Sequence, residues 1–150
     1  MSKPRLATAL AAMLLAGSVS AHDEPVSYYN KGNDPSRPFS LAVRADDTVY
    51  LAGQLGIGAD GKLPQGMEAQ ARQAMDNIAG VLKGMDLSMD NVVKCTVFLA
   101  DMAKWGDFNK VYAGYFKPGR MPARSALGAN GLALGADVEV ECIAYAPHKH

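Results

Sequence analysis

"MPARSALGANGLALGADVEVECIAYAP", residues 121–147, decides how this chain is read. It sets one arginine, Arg124, between a Met-Pro-Ala run and a glycine-rich loop, and follows it with a strand carrying Glu139 and Glu141. An arginine beside proline is commonly a surface residue. An arginine held at the end of a turn and facing a carboxylate can instead be an anion receptor. The rest of the chain distinguishes the two.

Working outward, residues 137–146 ("DVEVECIAYA") alternate: Val138, Val140, Cys142 and Ala144 share one side, Glu139, Glu141 and Ile143 the other. Upstream, Trp105, Phe108, Tyr112 and Tyr115 recur at spacings of 3, 4 and 3, with Asp101 as N-cap and Pro118-Gly119 as the stop. An aromatic stripe at this spacing reads as core. The run "NVVKCTVFLA" (91–100) is a strand, with Val93, Cys95, Val97 and Leu99 on one side and Lys94, Thr96 and Phe98 on the other. Ahead of it, Ala71, Met75, Ile78, Leu82 and Met85 form the apolar stripe of a first helix. "FSLAVRA" (39–45) and "TVYLAGQLG" (48–56), separated by Asp46-Asp47, form a hairpin.

The order is β-β-α-β-α-β, an α+β domain over residues 37–147. Right-handed crossovers put both helices on one face of a four-stranded sheet. The other face carries Lys94, Thr96, Phe98, Glu139, Glu141 and Ile143, and a sheet covered on one side only points to an oligomer.

The N-terminus reads differently. Lys3 and Arg5 precede an apolar run from Leu6 to Ala16, and Val19 and Ala21 occupy the −3 and −1 positions of a cleavage site. Residues 1–21 thus read as a secretory signal peptide, the apolar run being short for a membrane span. The expectation is a soluble periplasmic or secreted protein, off the membrane after cleavage. Residues 22–36 then form an irregular arm. In that compartment Cys95 and Cys142 are either buried thiols or a disulfide between neighbouring strands.

The 150 residues carry 15 basic and 15 acidic side chains, for a net charge of zero, with no long basic run. No nucleic-acid partner is expected from that balance. His22 would lead the mature chain and His148 and His150 end it, without a second clustered ligand, so no metal is expected.

Taken together, "AGQLG", "EAQARQAMDNIAGVL", "VVKCTVFLADMAKWGDFNKVYAGYF", "PARSALG" and "VEVECIAY" resemble the RidA/YjgF family, over about residues 37–146. The resemblance implies a chorismate-mutase-like fold assembled as a homotrimer, with ligand sites between subunits. It implies hydrolysis of reactive enamines and imines of amino acids to 2-keto acids and ammonia, without a cofactor. Arg124 then holds the substrate carboxylate, Glu139 positions the attacking water, and Asn109 falls where the family has a site asparagine. Gly53 matches a glycine there, read as serving close backbone approach.

Three positions depart from the family pattern. Ala126 replaces a cysteine, whose backbone rather than thiol can hold the water. Phe39 replaces a tyrosine and Ala52 a serine, each removing a hydroxyl from the substrate-binding lining. The alternatives are a non-catalytic trimer that binds small carboxylates or acts as a holdase, and an endoribonuclease, which the neutral charge disfavours. Glu139 has its own bland alternative, an ion pair with Arg124 or Lys94.

Overall fold

A computed structural model of the protein describes residues 25–30 and 36–147. The signal read over residues 1–21, the three histidines and residues 31–35 of the arm lie outside them. The described residues build one mixed sheet of seven strands: β1 (Val26–Tyr29), β2 (Ala42–Ala45), β3 (Thr48–Leu51), β4 (Gln54–Leu55), β5 (Val92–Leu99), β6 (Ala123–Gly128) and β7 (Val138–Tyr145). Helices α1 (Met67–Lys83) and α2 (Trp105–Ala113) pack on each other and on one face of it. The lateral order is β1-β2-β3-β7-β5-β6, with β4 paired to β7.

The sheet corrects the four-stranded expectation in three places. Val26–Tyr29, inside the arm read as irregular, is a strand antiparallel to β2. It is an edge strand with only Tyr29 partly buried, so no period-2 apolar signal marks it. The strand read over 48–56 breaks at Ala52-Gly53 into β3 and β4, both paired to β7. The segment after Pro122, which the β-β-α-β-α-β order leaves without a strand, is β6, which runs parallel to β5 with α2 as the crossover between them. A proline at its head and small residues along it hide a strand that pairs on one side only.

One register shift matters. Between Val92 and Lys94 the β5–β7 ladder slips, so Val92 is buried and Val93 is half exposed, the reverse of plain alternation. Beyond the slip the pattern is regular. Cys95, Val97, Leu99, Val138, Val140, Cys142 and Ala144 enter the core with Met75, Ile78, Leu82 and Phe108. Burying side chains of this kind contributes on the order of 1.5–3 kcal/mol each, which makes this face the main source of stability. Cys95 and Cys142 stand directly opposite each other, Cα atoms 4.1 Å apart, and are joined as a disulfide.

Side-chain fastenings from α1 hold β4 and β7 in place. The buried Gln70 accepts from the Asp137 backbone N–H at 2.8 Å, fixing the start of β7. Asn77 donates through Nδ2 to the carbonyls of Leu55 and Ile57, each at 3.0 Å, tying β4 to α1.

Candidate functional site

Arg124 sits on β6 opposite Cys95 of β5, and Ala126 opposite Val97, so both lie on the helix-bearing side. There the aromatic stripe of α2 meets the guanidinium. Its carbon lies 4.6 Å from the Tyr112 ring centre, 5.1 Å from Trp105 and 5.8 Å from Phe108. Ring faces attract a cation and take up the flat sides of the guanidinium, leaving its N–H edges to bind in plane. Among the described residues no carboxylate pairs with Arg124. No ion pair within the described residues therefore holds this arginine.

A cavity of about 320 Å³ opens beside it, lined by Asn109, Tyr112, Ala113, Met121, Pro122 and Arg124. Its walls are mostly apolar, so a carboxylate that enters exchanges water for the guanidinium's paired donors in a partly dry setting. The stripe read only as core thus has a second role. Phe108 and Tyr112 are buried in the core and also form the arginine's bed. The signal that would have found them is the period of α2 set against β6, which requires knowing that 123–128 is a strand.

Glu139 lies elsewhere. It pairs with Phe98 of β5 and with Leu55 of β4, on the face away from the helices. Cys95 and Phe98 are three residues apart on one strand, and an odd step reverses the side. Arg124 and Glu139 therefore point to opposite faces of the same sheet, and one chain does not bring them together. Nor does Glu139 pair with Lys94, which donates instead to Ser125 Oγ at 2.7 Å.

The Glu139 side chain presses against Gly53. A Cβ at position 53 would overlap its Oε1 and lie 3.0 Å from Cδ. Gly53 is thus needed for close approach, but of a carboxylate side chain rather than of backbone. Ala52 precedes it in the β3–β4 break and is partly buried. Its N–H donates to the Leu41 carbonyl at 3.0 Å. Phe39 lies outside β2, is 53% exposed, and stacks under Arg37, whose guanidinium carbon is 5.7 Å from the ring centre. The predicted residues hence divide: Arg124, Asn109 and Ala126 on the helix side, Glu139 with Gly53 and Ala52 at the β4–β7 pairing.

Among the described residues no cluster of three His, Cys, Asp or Glu side chains is placed to hold a metal ion. None of their helices is long and apolar enough to cross a membrane.

A mixed sheet with two helices on one face, and an arginine over a small cleft with no carboxylate partner among the described residues, defines an α+β protein of the chorismate-mutase-like kind. More particularly, the chain belongs to the family described as endoribonuclease L-PSP, whose model matches residues 31–146; this is the RidA/YjgF group that the sequence motifs indicated. The chain is 43% identical over 109 residues to the 2-iminobutanoate/2-iminopropanoate deaminase of Mus musculus, covering 71% of this chain and 80% of the mouse protein. The crystal structure of RidA from the Antarctic bacterium Psychrobacter superposes with a TM-score of 0.70 at 34% identity, over 73% of this chain and 89% of that one. E. coli TdcF with bound serine gives 0.69 at 27% identity, over 73% and 88%.

Proposed function

We propose that the protein is a hydrolytic deaminase of the enamine and imine intermediates of amino acids, working in the periplasm or outside the cell. The observation that carries this reading is Arg124: a guanidinium bedded on three rings, its donors unpaired among the described residues, at the mouth of an apolar cleft. The mouse relative's name gives the substrate class, a 2-imino acid, whose carboxylate fits that receptor.

In the reaction, Arg124 grips the carboxylate through two parallel N–H bonds. Water adds its oxygen to the imine carbon and gives a proton to a carboxylate base, Glu139. That proton passes to the nitrogen, giving a carbinolamine; its hydroxyl proton then follows to the nitrogen through the same carboxylate as the C–N bond breaks, and ammonia leaves as the C=O forms. Enamines enter through their imine tautomer. No step needs a metal or an organic cofactor.

Because Arg124 and Glu139 face opposite sides of one sheet, Glu139 must reach the cleft from a second copy of the chain. A homotrimer supplies it, and the helix-free face supports that assembly, with Tyr50, Leu127 and Tyr145 half exposed on the strands around Phe98 and Ile143. Export is supported by the leader read over residues 1–21 and by the Cys95–Cys142 disulfide, since such bonds persist in oxidising compartments.

A second reading rests on Phe39, Ala52 and Ala126: with those side chains changed, the trimer binds small carboxylates without turning them over. One assay separates the two. A dehydratase generates an enamine in situ, and its decay is followed with and without the protein. Acceleration that Arg124→Ala abolishes supports the deaminase; decay at the buffer rate with wild type refutes it. Salt-dependent RNA binding would instead favour the activity in the family's description.

A further inference from the structure

Two buried side-chain atoms have no hydrogen-bond partner among the described residues: Asn109 Oδ1 and the Tyr112 hydroxyl. They stand three positions apart on α2, hence on one face of it, and both residues line the cavity that holds Arg124. Buried polar groups are nearly always paired, because leaving one unpaired costs its full desolvation. Beside them, lining the same cavity, is Arg124, whose guanidinium has no carboxylate partner among the described residues.

We propose that Tyr112 is a substrate-binding residue whose hydroxyl donates to the carboxylate gripped by Arg124, while Asn109 Oδ1 accepts the N–H on the neighbouring carbon. This rests on the deaminase reading of the same site and gives it a basis for selectivity. A 2-imino acid presents a carboxylate and an N–H on adjacent carbons. Its 2-keto product presents an acceptor oxygen where the N–H was, which Asn109 Oδ1 repels. The pair therefore holds substrate and releases product. Tyr112 keeps the proton it donates, because burial, partly opposed by Arg124, pushes its pKa up to about 12.

The test exploits the missing partners. If the hydroxyl were structural, it would have something to bond, and losing it would lower stability. Removing an unpaired buried hydroxyl should leave stability unchanged or raised. Tyr112→Phe should therefore keep or raise Tm while lowering kcat/KM on the in-situ enamine by about tenfold, the loss of one hydrogen bond to a charged group. Calorimetric titration with 2-ketobutyrate and 2-aminobutyrate reads binding without turnover. Tyr112→Phe should weaken both probes, and Asn109→Ala should weaken only the amine-bearing one. If wild type turns over the enamine and Tyr112→Phe matches it in kcat/KM and both affinities, the inference falls and the deaminase reading stands. If wild type shows no turnover, the deaminase reading falls and the titrations decide: weaker binding by Tyr112→Phe sustains the receptor. Equal binding, or no binding by wild type, ends it.

Discussion

Arg124 and Glu139 are separated by a single strand, β5, and their surroundings are opposite in kind. Arg124 stands on an edge strand, its faces covered by rings from α2 and its donors without a partner among the described residues. Glu139 stands on a central strand, on the helix-free side, with a glycine cut away to make room for it. One group is framed by packing from the hydrophobic core, the other by the absence of a side chain. The difference teaches that one sheet sets the two groups on opposite faces, so the proposed chemistry, which uses both, must be assembled between copies.

The strongest way to break this account is at the arginine. Arg124→Ala removes a charge-assisted bidentate contact, worth roughly 3 kcal/mol or more at about 1.5–3 kcal/mol per charged hydrogen bond. That corresponds to at least about a hundredfold loss in kcat/KM, with the assembly intact by light scattering. Arg124→Lys should rescue little, since an ammonium is a point donor and stacks less well on rings. Full rescue by lysine would mean that charge alone matters and that the aromatic bed does not orient the group.

On the other face, Glu139→Gln should lower kcat by about a hundredfold while changing KM less, because it removes a proton acceptor rather than an anchor. Mixing Arg124→Ala with Glu139→Gln sharpens the comparison. If the site spans two copies, mixed trimers contain some intact sites and recover part of the activity. Recovery of none would place both groups in one chain's cleft, contrary to the register of β5.

Gly53→Ala should do indirectly, and more weakly, what Glu139→Gln does. The added methyl overlaps the carboxylate and forces it aside, and a misplaced group loses about tenfold or more in rate. Its signature is a fall in kcat with little change in affinity for a 2-keto acid. Unaltered kcat would show that Glu139 does not need its present position.

The disulfide tests whether the two faces are held apart by the core between them. Cys95 pairs with Cys142 on one side and stands in register with Arg124 on the other. Replacing both cysteines by alanine should cost about 2–4 kcal/mol of stability, as expected for a closed loop, read as a lower denaturant midpoint. Activity per folded molecule should change little. A large loss of activity with stability intact would mean that the bridge positions Arg124.

Much of this was legible beforehand. The helix stripe from Ala71 to Leu82 and the alternation of Val138 to Ala144 are set by burial against a single core, and strong periodicity is what sequence shows best. Arg124 was singled out by its setting between a Met-Pro-Ala run and a glycine-rich loop, and Asn109, Glu139 and Gly53 became candidates through motif resemblance. What stayed hidden was strand β6, and with it the side on which Arg124 points. A short parallel edge strand that begins after proline has almost no pattern of its own. Its side-chain direction follows only from pairing with β5. The bulge at Val93 was hidden for the same reason, because a register slip is a property of two strands and not of one. Without β6, Trp105, Phe108 and Tyr112 had no guanidinium to face.

The smallest expected effect is alkaline. Burial pushes the Tyr112 pKa up to about 12, against an ordinary value of 10.0. Burial and its bond to Asp76, at 2.6 Å, raise Tyr115 as well. A raised phenol means that the folded chain holds its proton where the unfolded chain has lost it. Stability from this source is therefore complete below about pH 10 and declines as the pH rises from there through 12. Urea unfolding at pH 8, 10 and 11 should show the midpoint steady to about 10 and falling beyond it. Tyr112→Phe should flatten part of that fall, Tyr115 accounting for the remainder. A slope that Tyr112→Phe leaves unchanged would mean that the Tyr112 hydroxyl meets solvent and is not enclosed beside Arg124, which removes the dry setting on which that side of the comparison depends.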